Sequence, residues 1–178
     1  AGPMKFEPAA QPRGVGQHPH RGFETVTIVY EGEVEHRDST GAGGKIGPGD
    51  VQWMTAGSGI MHQEMPKGDV FGRMHGFQLW ANLPSNLKMT SPRYQDVKSN
   101  EIPEITDDDG TKVRVVVGSF WGKKGPVDGI AADPQYLDIT VPAGKRKVFK
   151  VDTYKQTFAY IFEGSATFRD ASKPFGVL

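Results

Sequence analysis

Apolar residues in this chain gather in short runs rather than at helical spacing. Stretches rich in β-branched and aromatic residues cover positions 24–30, 76–80, 112–117, 136–141 and 157–162. Between them fall glycine and proline, 23 and 13 of the 178 residues, where the chain must reverse. No long stretch sustains the 3.6-residue apolar period of a helix. Many short strands separated by frequent turn signals predict an all-β fold, an antiparallel sandwich or barrel.

The pattern also repeats. Residues 25–38 read TVTIVYEGEVEHRD and residues 157–170 read TFAYIFEGSATFRD. Thr, Glu-Gly and Arg-Asp coincide, with Gly32 falling on Gly164. The repeat predicts a duplicated β-domain, each copy carrying a hairpin: an apolar strand, a Glu-Gly turn and a polar alternating strand. Carried backwards, the same offset places His18 on Lys150 and His20 on Asp152. Carried forwards, it places the partners of Gly47-Pro48-Gly49 and of His62 beyond Leu178. The expected organisation is therefore a first domain over 1–127 and a partial second domain over 128–178 that lacks the histidines. Unpaired edges in such a half-barrel invite association.

Composition narrows the function. Lys+Arg and Asp+Glu both number 21, so no net charge draws the chain to nucleic acid or membrane. The short basic clusters 123–124 and 145–147 lack interleaved aromatics and read as solvated faces. There is no cysteine; disulfides and thiolate ligands are excluded, and a metal would have to use His, Asp or Glu. No apolar run approaches the ~20 residues that span a bilayer, and no signal-peptide pattern is present. A cytoplasmic protein is expected, nuclear as well if eukaryotic.

All five histidines lie within the first 75 residues. Two form His18-Pro19-His20, and residues two apart on a strand share a face. Glu24 has the same parity. Some 40 residues on, His62-Gln63-Glu64 repeats the two-residue spacing. Two such pairs on neighbouring strands can bind one ion, and imidazole with carboxylate suits Fe, Mn, Ni, Cu or Zn. Spacing leaves open whether Glu24 or Glu64 is the carboxylate ligand. His36, which falls on Phe168 in the repeat, and His75, at the head of an apolar strand, are expected to pack rather than ligate. Trp53 and Met54 read as core, with alternation allowing one to line the cavity.

The segments HPHRGFETVT (18–27), GKIGPGDVQWMTAGSGIMHQEMP (44–66) and HGFQLWANLP (75–84) closely resemble the pirin family of bicupin metalloproteins. RYQDVKSNEIPE (93–104) and QYLDITVPAGK (135–145) extend the likeness over nearly the whole chain. Pirins usually begin earlier and continue further. The resemblance implies two cupin (jelly-roll) barrels, the second incomplete. It implies metal ligands at His18, His20, His62 and Glu64, so it favours Glu64 over Glu24; Glu24 then becomes either an acceptor that orients an imidazole or a plain structural residue. It implies Fe(II) and a quercetin 2,3-dioxygenase-type oxidoreductase that opens a flavonol ring with dioxygen, with Glu64 as general base. The family also implies an alternative, a non-enzymatic iron-dependent co-regulator of transcription factors or a modulator of a metabolic enzyme.

Overall fold

The structure, a computed structural model, describes residues 4–5, 14–168 and 175–176. In chain order the strands are β1 (Met4–Lys5), β2 (Val15–His20), β3 (Phe23–Glu31), β4 (Glu33–Asp38), β5 (Gly43–Ile46), β6 (Val51–Thr55), β7 (Ile60–Lys67) and β8 (Arg73–Asn82). They continue with β9 (Arg93–Val97), β10 (Glu104–Thr106), β11 (Lys112–Val117), β12 (Ser119–Phe120), β13 (Lys123–Lys124), β14 (Tyr136–Thr140), β15 (Ser165–Ala166) and β16 (Phe175–Gly176). Among the described residues, helix is confined to two 3-10 turns, Ser85–Leu87 and Ser99–Glu101. None is long and apolar enough to cross a membrane. The all-β expectation holds.

Two antiparallel sheets enclose a common interior. One runs β1-β8-β3-β6-β9 and the other β2-β7-β4-β5. Val29 and Met74 of the first sheet meet Val34 and Ile46 of the second in one buried cluster. Polar side chains cross the same space: His36 Nε2 lies 3.3 Å from Asp96 Oδ2.

Strand β3 is buried almost throughout, because it is covered on both sides. Its odd residues face the opposing sheet. Its even residues Val26 and Ile28 join Val51, Trp53, Val97, Val116 and Val127 in the largest apolar cluster, on the outer face. That outer face is covered by a third sheet, β10-β11-β14. The expected division at 127/128 lies in the connection between its paired strands β11 and β14. A sheet buried on both faces loses the apolar–polar alternation of a half-exposed one, which is why 24–30 reads as a continuous apolar run.

The expected hairpin at residues 25–38 does not form. Strands β3 and β4 belong to opposite sheets, so Glu31-Gly32-Glu33 is a corner that carries the chain from one sheet to the other. Gly32 has φ +78°, a left-handed conformation that costs other residues energy. A Cβ there would also sit 2.6 Å from the Lys67 carbonyl oxygen. Its counterpart Gly164 has φ +72°, so the repeat preserves this left-handed glycine. Arg169 and Asp170, which close the second copy, lie outside the described residues. No strand forms over 157–162 either. Instead of joining a ladder, this segment packs its rings against the outer face: Tyr160 and Phe162 each lie 5.3 Å from Phe77, and Phe162 lies 4.7 Å from Tyr30.

Candidate metal centre

The ladder between β2 and β7 sets His18 opposite His62 and His20 opposite Ile60. From Val15 to His18, β2 spends one residue more than β7 does between Glu64 and His62. This bulge at positions 16–17 bends β2. It brings the Gly16 carbonyl to 2.8 Å from His18 Nδ1. A carbonyl only accepts, so Nδ1–H donates to it, and the Nε2 lone pair of His18 points elsewhere.

It points at the other two imidazoles. His18 Nε2 lies 3.0 Å from His20 Nε2 and 3.0 Å from His62 Nε2. One ring nitrogen from each of the three falls within 4.8 Å of the others. His62 is 1% exposed and His20 6%. Burial first, and then the neighbouring imidazoles His20 and His18, push His62 down to about 4. Burial, with His18 beside it, also lowers His20. Both rings are therefore neutral at pH 7, the form that ligates metal. A single shared proton cannot satisfy three convergent nitrogens, whereas a cation can. The donor set thus fits a divalent metal, with nitrogen ligands that do not by themselves select one.

Glu64, two residues beyond His62 on the same face, stands beside this group rather than within it. Gln78 Nε2 on β8 donates to Glu64 Oε1 at 2.8 Å and to Thr27 Oγ1 at 3.2 Å. Gln78 Oε1 accepts from Trp80 Nε1 at 2.9 Å. Burial raises the Glu64 carboxyl above its ordinary range, against the opposing influence of His18 and Gln78. The indole of Trp80, 67% exposed, lies 5.7 Å from the His20 ring and 4.9 Å from Phe23. Together they form an aromatic wall beside the histidines.

The structure places Glu24 elsewhere. It pairs with Thr55 and Ala81 on the outer face of the five-stranded sheet. Its Oε1 accepts from Thr55 Oγ1 at 2.7 Å, and its buried Oε2 has no partner among the described residues. It orients no imidazole. Glu24 lines a cavity of about 390 Å³ bordered by Leu83, Pro92 and Arg93, away from the histidines.

His36 is buried, beside Asp96 and stacked at 5.3 Å on Tyr94. His75 packs among Tyr30, Phe77 and Phe162. Neither belongs to the metal-type group. Trp53 joins the outer-face core, while Met54 packs with Ala56 and Ile60 on the interior side. Gln78, Trp80 and Phe23 were not visible as site residues in the sequence. The only signal for the first two is their shared parity on an apolar strand.

The chain is similar to known proteins in sequence and in fold. The sequence profile of the family described as Pirin matches residues 1–81. A Pseudomonas aeruginosa protein with a provisional quercetin 2,3-dioxygenase name is 53% identical over 150 residues, covering 82% of this chain and 52% of its own length. A pirin-like protein of Caulobacter vibrioides is 47% identical, covering 85% of this chain and 55% of its own. The crystal structure of quercetin 2,3-dioxygenase from Acinetobacter baumannii superposes with a TM-score of 0.76 at 44% identity, over 82% of this chain and 51% of that one. Two facing sheets with a histidine cluster between them define a cupin. Within the cupins, this chain belongs to the pirin family. It spans about half the length of the curated relatives it matches.

Proposed function

We propose that this chain carries the metal site of an Fe(II)-dependent flavonol 2,3-dioxygenase. His18, His20 and His62 are ligands, and Glu64 is the fourth. The observation that carries this reading is the convergence of three imidazole Nε2 atoms, two of them on rings held neutral. Bound iron would supply Lewis acidity toward the flavonol hydroxyl and the one-electron chemistry that dioxygen requires.

The chain's own residues supply the remainder. Trp80 and Phe23, their rings inclined at 39°, offer an aromatic wall against which one ring of a polycyclic substrate can pack. Glu64, its basicity raised by burial, accepts the proton of the flavonol 3-hydroxyl. Gln78 holds one carboxylate oxygen of Glu64, so the other would serve as ligand and, on brief release from the ion, as proton acceptor. In the overall reaction both atoms of dioxygen enter the product, two ring carbon–carbon bonds break and one carbon leaves as carbon monoxide.

The test is direct. The metal-free protein is loaded with Fe(II), quercetin is added in air, and its visible absorbance is followed. Loss of absorbance that depends on Fe(II) and disappears in Glu64→Ala is expected. A rate no greater than that of the metal-free control would refute catalysis and turn attention to a non-enzymatic role.

A further inference from the structure

We infer that Gln78 is the positioning residue of Glu64, and that Trp80 locks Gln78 in that role. The inference rests on the reading of Glu64 as the fourth ligand. A glutamine amide has one acceptor oxygen and one donor nitrogen. At Gln78 both ends are committed: Oε1 to Trp80 Nε1, and Nε2 to Glu64 Oε1 and Thr27 Oγ1. An indole N–H can only donate and a carboxylate can only accept. Although Gln78 is exposed, these partners together favour one orientation of the amide. Flipped, it would set N–H against N–H and oxygen against oxygen.

The backbone supports the same geometry. The register of β3 and β8 places Gln78 opposite Thr27 and Trp80 opposite Thr25. All four residues are thus fixed to one antiparallel ladder, while Glu64 reaches across from the other sheet. The bond to Gln78 ties down Oε1 and decides that Oε2 is the oxygen left to face other partners. Without it, a long carboxylate side chain would sample several rotamers and lose freedom on ligation. Partners that orient a ligand commonly account for 10–100-fold in metal affinity.

The experiment uses Co(II) as probe, with affinity read by competition against a chromophoric chelator and geometry read from the visible d–d absorption. Glu64→Gln is expected to weaken Co(II) and change the band. Gln78→Leu should weaken it about tenfold and alter the band in the same sense. Trp80→Phe keeps the ring and removes the N–H, so a smaller loss, about threefold, is expected. In a Glu64→Gln background, Gln78→Leu should add nothing. If Gln78→Leu leaves affinity within about twofold and the band unchanged while Glu64→Gln changes both, the positioning role is overturned and Glu64 stands. An equal loss in both backgrounds also overturns it, since the effect would bypass Glu64. If Glu64→Gln changes neither readout, the fourth-ligand reading falls and takes this inference with it.

Discussion

Two carboxylates of even number, Glu24 and Glu64, end on opposite sides of a sheet. Their fates follow from their strands. Glu64 shares a face with His62 because nothing interrupts β7 between them, whereas the chain leaves β2 at His20 and turns into the other sheet before Glu24. Asp50 shows what a single carboxylate does when its partners are complete. Its oxygens accept from Gly47 N, Lys98 Nζ and Ser99 N at 2.8–3.0 Å. Burial alone would raise its pKa; these donors outweigh that and hold it below the usual carboxylate range. A depressed folded pKa means stabilisation that is full above about pH 4 and lost as pH falls through the folded value. Asp50→Asn is therefore expected to cost about 2 kcal/mol at neutral pH. Urea denaturation of both proteins at pH 7 and pH 3 checks this, and the gap should narrow at the lower pH.

At the scale of elements, Gly32 is the corner on which the barrel turns. Gly32→Ala combines a left-handed alanine with a Cβ pressed on the Lys67 carbonyl. Neither can relax without moving β3, β4 or β7. A loss of about 3 kcal/mol is expected in chemical denaturation. The sequence made this glycine visible as a turn but not as a corner. Local pattern shows where a strand ends; which sheet the next strand joins depends on pairings far along the chain. The same limit governs the site. The histidine pairs were legible because two-residue parity is local. Glu24 had the right parity on paper, yet the switch of sheet between His20 and Phe23 cancels it. Gln78 and Trp80 reach the site only because β8 lies alongside β3, a contact between residues about 50 apart. Positions 157–162 have strand composition but meet the fold through their rings.

At the scale of the molecule, the first barrel is held to the following layer by its outer face. Phe77 is the centre of the aromatic part of that contact, with Tyr30, His75, Tyr160 and Phe162 around it. Phe77→Ala should cost about 2–3 kcal/mol, toward the low end for a partly buried ring. Its effect should be uneven. Hydrogen exchange is expected to quicken in β14 and around 158–162, while β2 and β7 keep their protection and metal binding is retained. Uniform loss of protection would show that barrel and outer layer unfold as one unit.

Strand β8 thus serves two sides at once. Gln78 and Trp80 look toward the histidines, and Phe77 and Leu79 look toward the covering layer. The polypeptide is one residue thick at this wall, so the two linings are interleaved letter by letter. Exchange of a letter disturbs one side only. A change in spacing by a single residue would turn the amide and indole outward into an apolar seam and drive apolar side chains in among the imidazoles. Substitution is therefore the easier route of change along this stretch, and an inserted residue is expected to be tolerated only where a bulge absorbs it, as one does in β2.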